Sequence, residues 1–117
     1  MLQYLPIDRS FRALAEPTRR AIVERLGDGP HSVSDLARPF DMSLTAVAQH
    51  IHVLEECGLV ITSKVGRVRT CSLDPKGLEA LSTWLDDRRH AAGQRLDRLG
   101  AVLDQMEKNE RQEGDDR

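Results

Sequence analysis

The spacing of apolar residues changes at Gly58 from helical to alternating, and this change constrains the fold more than any other feature of the sequence. Residues 43–57 place apolar side chains three and four positions apart, as one face of a helix requires. Residues 59–64 and 68–73 alternate as β-strands do, and Gly66 lies between them. Because glycine tolerates the positive φ of a tight turn, the pattern predicts a helix followed directly by a β-hairpin.

Three helices are predicted before this pair. The first covers residues 7–15, and the second begins at Pro17, which suits the first turn of a helix. The third begins at Ser32, a residue that caps helix N-termini well, and breaks near Pro39. Residues 39–42 form a tight turn that leads into the helix of residues 43–57.

A long helix is predicted after the hairpin. Asp74 and Pro75 provide the cap and the first turn, and apolar periodicity continues to about Met106. Residues 107–117 are rich in acids and lack apolar periodicity, so they are predicted to form a flexible tail. The predicted fold class is mainly α with a small β-hairpin, in a single domain of residues 1–106.

Composition agrees with one water-soluble domain. The chain has 117 residues, of which 39% are apolar and only 3% aromatic, so the core must consist of Leu, Val, Ile and Ala. No run of apolar residues could span a membrane, and the amino terminus does not resemble a signal peptide. The expected location is therefore the cytoplasm, where Cys57 and Cys71 would be free thiols.

The helix of residues 43–57 carries the features of a recognition helix. Two helices joined by a tight turn form a helix-turn-helix, which places its second helix in the DNA major groove. The apolar stripe of this helix packs inward, and the opposite face carries groups that can contact base edges or phosphates, with small flanking residues: Ser43, Thr45, Ala46, Gln49 and His52. Any amphipathic surface helix also has a polar face, so the neighbouring hairpin matters.

The hairpin of residues 59–73 is predicted to be a basic wing. Lys64, Arg67 and Arg69 lie close together, and residues 61–73 contain no carboxylate. This offsets the formal net charge of −2, which by itself argues mildly against nucleic-acid binding. Arg67 beside Gly66 is best placed to reach a minor groove. The alternative is a hairpin whose charges only protect its edges from aggregation.

The sequence also resembles a known family. The segments FRALAEPTRRAIVERL and SVSDLARPFDMSLTAVAQHIHVLEECGLV, followed by a basic hairpin ending in CSLDP, are similar to ArsR-type winged-helix repressors over residues 10–104. The resemblance implies a homodimeric repressor on a palindromic operator, with base contacts from the helix beginning at Ser43 and a histidine, here His50, close to DNA. It further implies that the first and last helices form the dimer interface. Thr45, Ala48 and Gln49 depart from the family pattern, so the operator sequence stays open.

The last helix has its own apolar seam. Ala92, Leu96, Leu99, Leu103 and Met106 are separated by four, three, four and three residues, the spacing of a heptad repeat. A small monomer would expose such a stripe, which favours a homodimer. The predicted interface comprises residues of the first and last helices: Phe11, Leu14, Leu81, Trp84, Leu85, Leu96, Leu99 and Leu103.

No cofactor, metal site or catalytic motif is predicted. Asp86 and His90 form only one potential ligand pair, short of the four ligands, or three with a water, that zinc takes. Two alternatives remain open: a winged-helix protein-interaction module that does not bind DNA, and the same repressor with either a thiol response through Cys57 and Cys71 or a metal response. The effector, the operator and the regulated genes cannot be derived from the sequence.

Overall fold

The computed structural model describes residues 5–115. The amino-terminal part contains helices α1 (Pro6–Leu14) and α2 (Pro17–Leu26), the short strand β1 (His31–Ser32) and helix α3 (Val33–Ala37). Helix α4 (Leu44–Glu56), strands β2 (Val60–Val65) and β3 (Val68–Leu73), and helix α5 (Pro75–Asp115) follow. No helix in this range is both long and apolar enough to cross a membrane.

The chain divides into two compact units within α5. The first unit extends to Ser82 and contains every other element, whereas the second consists of α5 from Thr83 onward. In the first unit the strands form an antiparallel sheet in the order β1-β3-β2. The order of mostly helical elements, with an antiparallel hairpin directly after α4, confirms the predicted winged helix-turn-helix fold.

Helix boundaries follow from capping residues in the sequence. Pro17 occupies the first turn of α2, where its missing N–H costs nothing, and the carboxylate of Glu16 accepts the backbone N–H of Arg19 at 2.8 Å. The Ser32 and Ser43 hydroxyls cap α3 and α4, each accepting a backbone N–H at 3.1 Å. Short-range chemistry therefore sets where these helices begin.

The core of the first unit is aliphatic, as the scarcity of aromatic residues predicted. Its buried apolar side chains come from the helices and from the hairpin: Ala13, Ile22, Leu26, Leu36, Val47, Ile51, Leu54, Leu59, Val60, Cys71 and Leu81. Fully burying a Val, Leu or Ile side chain contributes about 1.5–3 kcal/mol. The amphipathic face of α4 supplies three of these residues, so the core fixes which face of α4 remains exposed.

Three features differ from the sequence-based expectations. No strand was predicted before the hairpin, but His31 lies in β1 and is half-buried opposite Cys71 of β3, because a two-residue strand is too short for its pattern to be recognised. Helix α5 continues to Asp115 rather than ending near Met106, because the Glu, Lys, Arg and Gln residues of this segment favour helix even without an apolar stripe. Residues 116 and 117 of the predicted tail lie outside the described residues.

Leu81 is the third difference. It was expected at the dimer interface, but only 8% of its surface is exposed because it packs into the core of the first unit. Little of this side chain is available to a second subunit. The predicted interface residues of the second unit behave differently: Leu85, Leu96, Leu99 and Leu103 are exposed within one protomer, and Trp84 is half-buried.

Candidate DNA interface

Helix α4 presents a polar face opposite its buried stripe. Val47, Ile51 and Leu54 are at most 2% exposed, whereas Thr45 and Gln49 are exposed on the other side. Ala46 is half-buried between these faces. His52 is also exposed, and its Nε2 lies 3.1 Å from Oε1 of Glu56, so an intrahelical contact occupies one of its ring nitrogens. Gln49 carries the single side-chain amide of α4, and its exposure makes this amide available to a base edge.

The hairpin places basic side chains next to this helix. Lys64 and Arg69 are directly opposite each other in the β2–β3 register, and Val65 pairs with Val68 at the end of the ladder. Because side chains alternate between the faces of a strand, Lys64 and Arg69 share the face that carries buried Val60 and Cys71. Gly66 has φ of +63°, as predicted for the tip, and Arg67 follows it in the exposed turn.

A cleft of about 610 Å³ joins the helix and the wing. Its lining includes Leu44 and Thr45 from the first turn of α4, and Arg67 and Arg69 from the hairpin. Arg38, which the sequence analysis did not single out, also lines the cleft, and its guanidinium pairs with Asp35 at 2.9 Å. Its place in the sequence, directly before Pro39 and the predicted turn, is the signal that could have identified Arg38 as a candidate. The cleft thus combines polar groups with three guanidinium groups.

His50 does not share the exposed face with Gln49. Its side chain is only 24% exposed, and Nδ1 lies 3.3 Å from Nη1 of Arg19 and 3.7 Å from Oε2 of Glu16, both in or next to α2. The ring of His50 therefore faces α2 from its position beside the core stripe, and its contact with DNA stays a prediction. The contact with α2 ties the recognition helix to the rest of the unit.

Glu16 is the anionic member of this group. Partial burial tends to raise the pKa of its carboxyl group. Hydrogen bonds from the backbone N–H groups of Arg19 and Thr18, together with the nearby His50 ring, act in the opposite direction and outweigh it. The pKa of Glu16 is therefore lowered, which keeps the carboxylate charged while it caps α2.

The two thiols are in different environments. Cys71 is fully buried in the core, and burial raises the pKa of its thiol; Arg69 opposes this effect, and Glu55 adds to it. Cys57 is half-buried, and its Sγ–H donates to the Leu54 carbonyl oxygen at 3.3 Å. Both cysteines are free. A buried, protonated thiol such as Cys71 acts as a small apolar side chain.

Potential metal ligands do not cluster in the part of the chain that the structure describes, where no three His, Cys, Asp or Glu side chains come together. The candidate pair Asp86 and His90 does not form. Asp86 instead pairs with Arg89, and the His90 ring lies 3.1 Å from the amide of Gln94. Each group thus has a different neighbour on α5.

Comparisons with known proteins agree with this geometry. A family model described as a helix-turn-helix domain matches residues 14–62. The chain is 50% identical over 86 residues to the HTH-type transcriptional regulator Rv2034 of Mycobacterium tuberculosis, covering 74% of this chain and 80% of the relative.

Solved structures show the same architecture. The ArsR family transcriptional regulator RHA00566 superposes with a TM-score of 0.71 at 45% identity, covering 74% of this chain and 96% of that one. The homodimeric winged helix-turn-helix DNA-binding domain of Mb0332 from Mycobacterium bovis superposes with a TM-score of 0.59 at 25% identity, covering 72% of this chain and 81% of that one. The chain therefore belongs to the ArsR family of winged helix-turn-helix transcriptional regulators, which bind DNA.

Proposed function

We propose that this regulator is a repressor that binds a palindromic operator as a homodimer. The observation that carries the proposal is the exposed polar face of α4, with Thr45 and Gln49, beside a wing that carries Arg67 and Arg69. A helix of this kind fits the major groove, while an arginine at a hairpin tip suits a minor groove or its phosphates. A dimer seated on a promoter would exclude RNA polymerase. Repression by this route needs no catalytic group, and in a bacterium it takes place in the cytoplasm.

The proposed dimer rests on the second unit. Along α5 the apolar side chains of the heptad seam are more than half exposed in one protomer: Leu96, Leu99, Leu103 and Met106. A second copy of the same helix would cover this seam, since heptad spacing is the pattern by which helices pair. The related Mycobacterium bovis domain is homodimeric, which supports a dimeric state here. The predicted contributions of Phe11, Leu14 and Trp84 to the interface stay predictions.

Sequencing of the genomic DNA fragments retained by the purified protein at physiological salt tests this function. A homodimer with two recognition helices should enrich an inverted repeat whose half-sites are separated by about one helical turn of DNA, or a multiple of it. A protein-interaction module would enrich no sequence. Recovery of DNA without any shared motif would therefore contradict the proposal.

Gln49→Ala should change base preference. The amide of Gln49 can form two hydrogen bonds to one adenine, so its loss should cost about 1–3 kcal/mol on the best operator and little on unrelated DNA. Binding to a panel of operators with single base-pair changes measures this effect. Gln112→Ala, which removes an exposed amide at the far end of α5, serves as the control and should leave the whole panel unchanged. Equal losses on operator and scrambled DNA would exclude base contact by Gln49.

Arg67→Ala should act through charge instead. Its guanidinium contacts phosphates in this proposal, so the variant should weaken binding to operator and scrambled duplex alike. The slope of log affinity against log salt should become shallower by about 0.9 for each phosphate that is no longer neutralised, and a dimer has two wings. Arg111→Ala removes the same charge from α5 and should leave the slope nearly unchanged. An unchanged slope for Arg67→Ala would mean that the wing does not touch DNA.

A further inference from the structure

A second cavity, of about 570 Å³, lies in the first unit between α1, α2 and the last turn of α4. Its lining contains Arg9 and Arg12 from α1, Arg19 from α2, and Val53, Glu56 and Cys57 from the end of α4, together with Ala13. A smaller cavity of about 380 Å³ shares Arg9, Glu56 and Cys57 with it. The volume falls within the range of about 300–1,000 Å³ typical of sites for small molecules.

The charge of this cavity is positive although the chain as a whole has a formal charge of −2. Three guanidinium groups face a single carboxylate, that of Glu56, whose Oε1 lies 3.1 Å from His52. The guanidinium of Arg19 is held in place, because its Nε donates to the Ala13 carbonyl oxygen at 2.7 Å and its Nη1 contacts His50. Arg19 therefore adds fixed positive charge to the cavity wall. Arg9 is exposed and forms no hydrogen bond or ion pair with the described residues, so its donors can reach a ligand.

The carboxyl end of α4 already has hydrogen-bond donors of its own. Carbonyl groups there attract cations when they lack donors. Here four of these carbonyl groups already accept hydrogen bonds of 3.0–3.4 Å from groups other than these arginines. The backbone N–H of Cys57 donates to Val53, that of Leu59 to Leu54, and that of Gly58 to Glu55. The Ser10 hydroxyl donates to the carbonyl oxygen of Cys57. These four carbonyl groups therefore do not require donors from Arg9 or Arg12.

The position of the cavity on α1 also separates it from the predicted dimer contacts. At about 100° per residue, Arg9, Arg12 and Ala13 fall on one side of the helix, whereas Phe11 projects from nearly the opposite side. A ligand in the cavity would touch the last turn of the recognition helix without displacing that interface residue. This arrangement suits an effector rather than a structural contact.

We propose that this cavity is an effector site for a small organic oxyanion, with a carboxylate or phosphate group held by Arg9 and Arg12. The exposed side chain of Val53 provides an apolar wall for the body of such a ligand. Planar guanidinium groups suit both kinds of oxyanion, since they form paired charge-assisted hydrogen bonds with them. The effector role, unlike the binding itself, rests on the function proposed above.

NMR titration of the full, DNA-free protein tests the binding, with sodium butanoate, inorganic phosphate and sodium chloride compared at equal ionic strength. Saturable shifts should be concentrated in residues 9–13, 19 and 53–57 for one or both oxyanions, and absent with chloride. A stronger response to butanoate identifies a carboxylate with an apolar body, whereas a stronger response to phosphate identifies a phosphate ester. Shifts restricted to the wing and the exposed face of α4 would overturn the proposal.

Arg9→Gln is the decisive variant, because Arg9 is exposed and its loss should not disturb the fold. It should weaken oxyanion binding about tenfold or more, the expected effect of losing a charged hydrogen bond. Arg111→Gln removes an equal charge and should leave binding unchanged. Equal binding by wild type and Arg9→Gln would overturn the site.

The effector role is measured on the operator. Saturating oxyanion should change operator affinity at least about threefold relative to chloride in wild type and leave Arg9→Gln unaffected, a coupling that must be reciprocal. Arg9-dependent binding without such a change overturns the effector role. Since the titration uses no DNA, a failure to enrich an operator would leave the test of binding intact.

Discussion

Leu99→Asp should convert the dimer to monomers and abolish tight operator binding. Leu99 is 55% exposed within one protomer, so the substitution leaves the protomer core intact. In the paired seam, each subunit would instead bury an unpaired carboxylate, at a cost of about 3–5 kcal/mol each. Because a monomer contacts only one half-site, operator affinity should fall by about 10²–10⁴-fold.

Ala101→Asp is the matched control for this change. Ala101 lies on the same helix and is exposed, but its position in the heptad points away from the seam. The same charge placed there should leave both the dimer and the operator affinity unchanged. Sedimentation equilibrium and operator titrations measure the two quantities. A dimeric Leu99→Asp, or a wild type that is monomeric at micromolar concentration, would disprove the proposed interface.

Gly77→Ala should strongly destabilise the first unit. A Cβ atom built on Gly77 would lie 1.9 Å from the carbonyl oxygen of Gly58 and 3.3 Å from the Cα of Leu59. These are backbone atoms, so no change of rotamer can relieve the overlap, and the first turn of α5 would have to move away from the end of α4. The expected cost is about 3 kcal/mol, at the upper end of the penalty for overpacking.

Gly114→Ala separates this clash from the general effect of alanine in a helix. A Cβ on Gly114 meets nothing within 4 Å, and alanine favours helix over glycine by up to about 1 kcal/mol in a helix interior. Gly114→Ala should therefore be neutral or slightly stabilising. Urea unfolding of both variants at equal protein concentration measures the difference. If Gly77→Ala were as stable as wild type, the close approach of α5 to Gly58 would be incorrect.

Elements whose signals are local could be predicted from the amino-acid sequence alone. Ser43 and Gly58 delimit α4 because capping and positive φ depend on the chemistry of one or two residues, and Gly58 has φ of +83° as a left-handed cap requires. The spacing of Val47, Ile51 and Leu54 also indicated which face of α4 is buried, since the helical period is the same wherever the helix packs. The exposure of Gln49 follows directly.

The direction of a side chain at the edge of such a face depended on its neighbours in three dimensions. His50 lies beside the apolar stripe, where periodicity does not fix the direction of the ring, and the structure places it next to Arg19 and Glu16. Leu81 fits the apolar pattern of α5 equally well as an interface or a core residue, and the first unit uses it in its core. Pattern alone does not distinguish two apolar environments.

Contacts between distant segments depend on tertiary packing. In the sequence Gly77 is an ordinary weak helix former. Its close approach to Gly58 arises because the hairpin returns the chain, so that the beginning of α5 meets the end of α4. The cavity of Arg9, Arg12 and Arg19 likewise joins α1, α2 and the end of α4. Local propensity describes residues a few positions apart, whereas such approaches depend on how whole elements pack, so they had no signal in the sequence pattern.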